Sequence, residues 1–417
     1  MPRPGSSNPP TGRLLVTSEE HYSLSPSGAI YSRSFAKYAV WSRYLEVFDE
    51  VLVLARVAKS DLQENEQQRA DGPRVSFRSL PDHTGLWQYL CALRHARIIA
   101  SQAINDSDAY LLRVPGLVSQ MVWREIVRAK KPYVLEVMGD PWDAFGPGTW
   151  PHISRPIFRR IATRQLKRIC GAAMALHYLT SQALQRRYPP SKSAYAVGFP
   201  DVMLESAGVP ADKLQDKHRR LRKSPWKDTK NPSPLHIGFI GSFARLYKGP
   251  DTLLHAAALC RHRLNFQLTF VGAGRYLSEM KALAAKLGIA DLVEFRGEIS
   301  SGRSIFDFLD SIDLFVMPSR AEGLPRALVE AMSRGCPCIA SALGGIPELL
   351  DASDLVPPGS AETLAKLILQ VASDSNRLLA MSARNLAKAA QFSPQVLNES
   401  RRAFLEEVKH RASPSPR

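Results

Sequence analysis

Little in this chain would anchor it in a membrane or staple it for life outside the cell. Its 417 residues include 5 cysteines, Cys91, Cys170, Cys260, Cys336 and Cys338, scattered and without a C-x-x-C pair. A disulfide framework, a zinc ribbon and a thiol redox motif therefore lack their minimal pattern, and reduced thiols in a cytosolic setting are the expectation. No apolar run approaches the ~20 residues that span a bilayer. The basic residues near the start are not followed by an apolar stretch, so no secretory signal is expected. Aromatic residues make up 8% of the chain, and the basic stretches lack interleaved rings on which bases could stack, so no nucleic acid partner is expected. Acidic residues are outnumbered, 39 against 55 Lys and Arg, which leaves a net charge of +16. Such a field favours anionic partners, whether phosphorylated substrates, an anionic membrane surface or nucleic acid, and does not by itself choose among them.

What is present is an ordinary globular composition, 45% hydrophobic and 23% charged, in a chain too long for one core. Short runs rich in Val, Ile and Leu (14–17, 51–55, 110–114, 133–138, 173–179) alternate with segments of helical spacing such as 32–46 and 118–130. Several runs lack polar alternation, the pattern of strands buried on both faces of a parallel sheet. The pattern breaks over 205–233, where a strongly basic stretch precedes Asn-Pro-Ser-Pro, and resumes with runs at 235–241, 266–271, 293–296, 313–317 and 338–340. The predicted fold class is α/β, two Rossmann-like doubly wound domains facing across a cleft. The expected boundaries are a disordered start over 1–12, an N-terminal domain over 13–204, a basic linker over 205–233 and a C-terminal domain over 234–390. A final helical segment over 391–417, broken near Phe392-Ser-Pro, is expected to pack back on the N-terminal domain and to end in a disordered tail.

Four segments in the second half carry candidate chemistry. The loop Gly241-Ser-Phe-Ala-Arg-Leu-Tyr-Lys-Gly249 starts as a buried run ends and stops before a helical stretch. Glycine there lets backbone approach an anion and Lys248 offers a mobile cation, although a plain turn with a solvated lysine has the same pattern. Val271-Gly-Ala-Gly274 fits a βα turn on geometry alone. In Met317-Pro-Ser-Arg-Ala-Glu322-Gly-Leu-Pro-Arg-Ala-Leu-Val-Glu330 two glutamates stand eight positions apart. Glu322 lies beside Gly323, just before a helix that Pro325 suits in its first turn, and Glu330 falls about two turns along it. The amides at that helix start could hold a diphosphate, and the carboxylates could accept sugar and ribose hydroxyls. A helix cap and a solvated face are the alternatives, but Glu330 sits among Ala327, Leu328, Val329, Ala331 and Met332, costly company for an idle carboxylate. Last, Gly344-Gly345-Ile-Pro-Glu348 follows a strand-like run. Its paired glycines allow close approach to phosphate or sugar, while Glu348 reads as a helix first-turn residue.

Taken in order from about residue 235 to 392, these segments resemble family 4 of the retaining glycosyltransferases, which have the two-lobed GT-B fold. The likeness also includes Phe295-Arg-Gly297, Asp313-Leu-Phe-Val-Met-Pro-Ser319, Gly335-x-Pro337 and the late Phe392-Ser-Pro. The resemblance implies transfer of a sugar from a nucleotide-sugar to a glycan or lipid-linked acceptor, with retention at the anomeric carbon. It implies no metal and no cofactor beyond the co-substrate, and no D-x-D motif stands out as a metal site. It gives Lys248 and Glu322 the catalytic positions, Lys248 on the diphosphate and Glu322 on the transferred sugar. Glu330 goes to the ribose, backbone at Gly323 and Leu324 to sugar and phosphates, Arg296 to the nucleobase, and Gly241, Gly344 and Gly345 to the donor loops. The family's usual Gly-Arg at the loop start is Gly241-Ser242 here, which leaves Arg245 as the candidate substitute.

On the acceptor side, Gly28 matches the family's glycine loop, and Glu136-Val-Met-Gly-Asp140-Pro-Trp-Asp143 ends a strand at the cleft without the histidine many relatives carry. Asp140 and Asp143 are candidate contacts or helix caps. The regions 136–150 and 178–189 are similar to bacterial polysaccharide-assembly members. Over 153–169, apolar positions 153, 157 and 161 alternate with Arg155, Arg159, Arg160, Arg164, Lys167 and Arg168, a basic amphipathic helix suited to anionic headgroups or to an ordinary solvated face. The expected location is the cytoplasm, with a peripheral membrane contact. A non-catalytic nucleotide-sugar or polyanion-binding protein is the rival reading.

Overall fold

The computed structural model of the chain describes residues 12–33, 36–60, 68–82, 86–146, 149, 152–200, 208–224, 226, 233–299 and 302–412. They form two lobes of GT-B type, each a parallel sheet clothed by helices. In the N-terminal lobe the strands are β1 (Arg13–Leu24), β2 (Ile30–Ser32), β3 (Glu50–Lys59), β4 (Val75–Pro81), β5 (Ala109–Val114), β6 (Val134–Val137), β7 (Ala175–Tyr178) and β8 (Tyr195–Gly198). They lie in the order β4-β3-β1-β5-β6-β7-β8, with β2 folded back antiparallel on β1. In the C-terminal lobe β9 (Leu235–Ile240), β10 (Phe266–Val271), β11 (Val293–Phe295), β12 (Leu314–Met317), β13 (Cys338–Ser341) and β14 (Leu355–Val356) lie in the order β11-β10-β9-β12-β13-β14.

The strand runs are apolar without alternation because both faces are covered. Along β12, Leu314 and Val316 join one core cluster while Phe315 and Met317 join the other. Along β5, Tyr110, Leu112 and Val114 face one way, and Ala109 and Leu111 the other. Successive side chains of a strand point to opposite faces, so each sheet builds two cores at once. In both lobes the strand order reverses beside the first strand, which opens a crevice at the carboxyl ends of β1 and β5 and of β9 and β12.

Four segments depart from the sequence expectation. The basic stretch expected as linker contains a helix, Ala211–Lys223, whose Leu221 joins the C-terminal core together with Trp226. Its Lys217 is fully buried, with Nζ donating to Leu309 O (2.8 Å) and Cys336 Sγ (2.9 Å). The density of charge hid an amphipathic helix that seats one cation inside. Residues 32–46 hold only a short helix, Tyr38–Ser42, and a 3-10 turn, Arg43–Glu46. β1 runs on to Leu24 with a register shift between Thr17 and His21, which sets Glu19, Glu20 and His21 beside the carboxyl end of β5. After Gly345 comes only a 3-10 turn, Ile346–Glu348.

The chain breaks at the 3-10 turn Ala390–Phe392 and restarts at Pro394, and the helix Pro394–Ala412 crosses between lobes. Its Leu397 packs in the C-terminal lobe, and Phe404, Leu405 and Val408 in the N-terminal one. Cys170, Cys260, Cys336 and Cys338 are free and buried, and among the described residues no helix is long and apolar enough to cross a membrane.

Candidate active site

Lys248 and Glu322 come together at the C-terminal switch point. Lys248 ends the 3-10 turn Leu246–Lys248 in the loop after β9, and Glu322 lies in the loop after β12. The Lys248 ammonium donates to Glu322 Oε1 at 2.6 Å, and the Ser319 hydroxyl donates to the same oxygen at 2.7 Å. The side chains are only 17% and 7% exposed. Burial works to lower the Lys248 pKa, but the Glu322 carboxylate, with Tyr247, carries it above its ordinary value. The ammonium is therefore charged throughout the neutral range.

Local geometry explains how two loops so far apart in sequence meet. Gly249 has φ +74°, and a Cβ built there would lie 2.1 Å from the carbonyl oxygen of Pro318. Only glycine lets the Lys248 loop lie flat against the Glu322 loop. Arg320 ties the same two loops. Its guanidinium forks onto Asp251 (2.9 and 2.6 Å) and reaches Leu246 O and Thr252 Oγ1, while its amide donates to Tyr247 O. Arg320 was invisible as a functional residue in the sequence; its place two residues before Glu322 was the available signal.

Glu330 sits within the helix Arg326–Ser333, buried, accepting from Arg326 Nε at 2.7 Å. That helix starts at Pro325 with no side-chain cap. Beneath Glu322 and Gly323 runs the Gly344-Gly345 turn. Gly344 has φ +54° and a would-be Cβ 2.2 Å from Glu322 O, and the Gly345 amide donates to Gly323 O at 2.7 Å. Gly241 and Ser242 line a cavity of ≈ 310 Å³ with Gly272, Ala273, Glu298 and Ile299. Arg296 is exposed, pairs with Glu294 (3.0 Å), and donates its amide to Phe270 O. Leu324 lies beside the interlobe contact, and Arg245 is exposed at the rim of the Lys248 loop.

The acceptor-side candidates take partners within their own lobe. Asp140 caps the short helix Pro141–Ala144 through Trp142 N (2.8 Å) and also binds Arg187 and Tyr188 OH. Asp143 pairs with the same Arg187 at 3.3 Å; burial, then the Asp140 charge, raises its pKa. Gly28 (φ +88°) turns the exposed hairpin between β1 and β2. The two lobes touch at Gly323, whose would-be Cβ is 3.2 Å from Met138 O at the end of β6.

Sequence reasoning missed the polar edge of the N-terminal lobe. Glu19 accepts from the amides of Leu117 (3.0 Å), Val118 (3.2 Å) and Ser119 (2.9 Å) at the start of the helix Leu117–Arg128. Next to it His21 meets Asp82 (2.7 Å) and Arg113 meets Glu136 (3.2 Å). The signal was the Glu-Glu-His run directly behind an apolar strand. One D-x-D, Asp106-Ser-Asp108, precedes β5 at the opposite edge of the sheet, where Asp106 pairs with Arg78 and Asp108 accepts from Arg13 N.

Residues 222–391 match the family described as glycosyl transferases group 1. Over that span the C-terminal lobe is similar to a glycosyltransferase domain. The chain is 28% identical over 349 residues to protein CapJ of Staphylococcus aureus, covering 81% of each. It is 30% identical over 255 residues to a GDP-mannose-dependent monoacylated alpha-(1-6)-phosphatidylinositol monomannoside mannosyltransferase of Corynebacterium glutamicum, covering 57% of this chain and 63% of that protein. The fold is that of HepE from Anabaena, solved with UDP and glucose: TM-score 0.64 at 18% identity, over 94% of this chain and 98% of that one. The protein is thus a transferase enzyme with the GT-B fold, and its matched domain holds both Lys248 and Glu322.

Proposed function

We propose that this glycosyltransferase takes its sugar from a nucleoside-diphosphate donor bound in the C-terminal lobe and passes it, with retention, to a glycan or lipid-linked acceptor. The observation that carries this reading is the buried Lys248–Glu322 pair at the switch point. An ammonium has three protons and a carboxylate two oxygens, so each keeps capacity after binding the other. Lys248 would give its remaining protons to the diphosphate, and Glu322 would accept a hydroxyl of the sugar. Glu330 would accept ribose hydroxyls, and the cavity beside Gly241 and Gly272 would hold the base.

As the bond from the anomeric carbon to the phosphate oxygen breaks, negative charge gathers on the diphosphate. Lys248 and the positive end of the helix that starts after Pro325 would stabilise that charge, a task that calls on no metal. Retention follows if the acceptor oxygen arrives on the face the phosphate leaves. The electron pair of the broken bond stays on the phosphate, which takes the acceptor proton as the new bond forms. The ordered motif set from Gly241 to Glu348 supports retention; NMR of the anomeric product tests it, and an inverted product overturns it.

The mannosyltransferase relative's name places its acceptor on a phospholipid, and one surface here suits such a partner. On the helix Arg155–Cys170, Leu166 and Ile169 face the core, but Ile157 (62% exposed), Phe158 and Ile161 face outward, as does Ile153 (96%) just before it. Arg160, Arg164, Lys167 and Arg168 are exposed on the same helix. Arg159 instead lies 3.7 Å over the Trp142 ring and binds Trp142 O. Apolar side chains beside cations match an anionic bilayer surface. Flotation with vesicles containing anionic lipid should carry the wild type and leave an Ile157→Asp/Ile161→Asp variant behind; equal behaviour refutes the contact.

A screen of UDP- and GDP-sugars by thermal shift identifies the donor, since a bound ligand raises Tm by mass action. Binding without transfer or hydrolysis would overturn the catalytic reading.

A further inference from the structure

Glu348 belongs to the C-terminal lobe, yet its carboxylate is spent on the other one. Oε2 accepts from Ser181 N at 2.6 Å, and Oε1 accepts from Gln182 N at 3.0 Å and Ala183 N at 2.7 Å. These amides lead into the helix Ala183–Arg187, which follows β7 and of which Ala183 is the first residue. Gln182, the residue before that helix, provides no side-chain cap of its own. The lobes are joined covalently after β8 and again before the helix Pro394–Ala412. Glu348 is a third tie on neither crossing. It borders an interlobe cavity of ≈ 170 Å³ shared by Phe199 on one side and Leu324, Leu349 and Phe392 on the other. Apolar packing is therefore incomplete there, which gives charge-assisted hydrogen bonds more of the joint to hold.

The contacts form a closed circuit. Gly323 O accepts from Gly345 N, and the turn Ile346–Glu348 carries Glu348 to residues 181–183. Leu179 N donates to Val137 O at the β7–β6 ladder, and β6 leads to Met138, whose carbonyl faces Gly323 at 3.2 Å from its would-be Cβ. We infer that Glu348 is a positioning residue for transfer: it holds the sugar-binding loop Glu322–Gly323 in register with the acceptor lobe. It touches neither donor nor acceptor. This rests on the reading of the Lys248–Glu322 cleft as the donor site.

A carboxylate suits the task because two equivalent oxygens serve three amides. A glutamine would offer one oxygen and turn an NH2 toward the remaining amide protons, so Glu348→Gln is not conservative here. Both Glu348→Ala and Glu348→Gln are expected to lower kcat at least tenfold while the Kd for UDP or GDP changes less than threefold. Spin labels at Gln102→Cys and Lys281→Cys, one on each lobe, should show a broader distance distribution in both variants than in the parent. Ala183→Pro gives the mirror experiment. It removes one donor from the N-terminal side at a helix position where proline is tolerated, and should reproduce the phenotype in smaller measure.

An unchanged distance distribution in the Glu348 variants overturns the proposal. So does a nucleotide Kd that weakens in step with kcat, which would make Glu348 a donor ligand or a fold determinant. Lys248→Ala separates this from the site itself: it should lower turnover by ~10²-fold or more with the interlobe distances intact. Full activity in that variant would sink the donor site, while the label distances would still judge Glu348.

Discussion

The two sheets share one strand order, and their carboxyl edges are finished in opposite ways. In the C-terminal lobe the edge is mostly backbone: Gly241, Gly272, Gly344 and Gly345 let loops meet, and the helix Arg326–Ser333 starts without a side-chain cap. In the N-terminal lobe the same edge is built from long polar side chains. There the equivalent helix start at Leu117 is closed by the Glu19 carboxylate, which burial pushes above its usual pKa range despite three amide bonds. A would-be Cβ on Gly116 would fall 1.9 Å from that carboxylate. One edge is finished by close-packed glycine turns, and the other closes a helix start with a side chain. In the proposed function a diphosphate binds at the first edge, and the second edge selects the acceptor through side chains.

The largest expected effect breaks the C-terminal edge chemically. Glu322→Ala, Lys248→Ala and Glu330→Ala should each lower turnover by ~10²-fold or more, the scale for groups that position substrate or stabilise transition-state charge. Single-turnover assays with the screened donor measure this. Losing one member of the buried Lys248–Glu322 pair also strands the other, at a cost of about 3–5 kcal/mol, so folding must be checked alongside by melting curves. The next effect breaks the same edge sterically. Gly344→Ala places Cβ 2.2 Å from Glu322 O at φ +54°, whereas Gly28→Ala meets nothing within 4 Å at φ +88°. The N-terminal change should cost ~1–2 kcal/mol, the backbone term alone, and the C-terminal one clearly more. Denaturant melts of both compare them directly, and equal losses would contradict the crowding described around Glu322.

A smaller effect sharpens the contrast from the other side. Glu19→Ala uncaps the helix Leu117–Arg128 and should lower stability by ~0.5–2 kcal/mol, with the UDP or GDP Kd unchanged. Weakened nucleotide binding would place the diphosphate on the wrong lobe. The smallest is a pH effect. Because the folded pKa of Lys248 lies above 10.5, the stability its ion pair supplies is complete below that value and is lost as pH rises through the folded pKa. The Tm gap between wild type and Lys248→Met should stay constant through neutral pH and narrow only above 10.5. Narrowing near pH 8 would mean the ammonium is not held by Glu322.

The same difference between lobes decides how much was legible in the sequence. Backbone sites announce themselves, because glycines at strand ends and a carboxylate among apolar neighbours are local anomalies. The approach of Lys248 to Glu322 and the burial of Glu330 were readable for that reason, as were the runs that became β9, β10 and β12. Side-chain sites do not, since Glu19 gains its meaning only when residues 117–119 fold against it. Glu348 was equally opaque: it has the position of a first-turn residue, and its partners lie more than 160 residues away. The helix Ala211–Lys223 within the expected linker is hard to see because its basic face outweighs Leu214 and Leu221 in composition, although those two residues, two turns apart, mark an inner face.

The most direct test of the C-terminal donor site is calorimetric titration of UDP and of GDP into wild-type enzyme and Lys248→Ala. The account predicts that whichever nucleotide binds the wild type loses at least tenfold in affinity when the ammonium is removed, with the fold intact by its melting curve. Equal affinity for both proteins would contradict it.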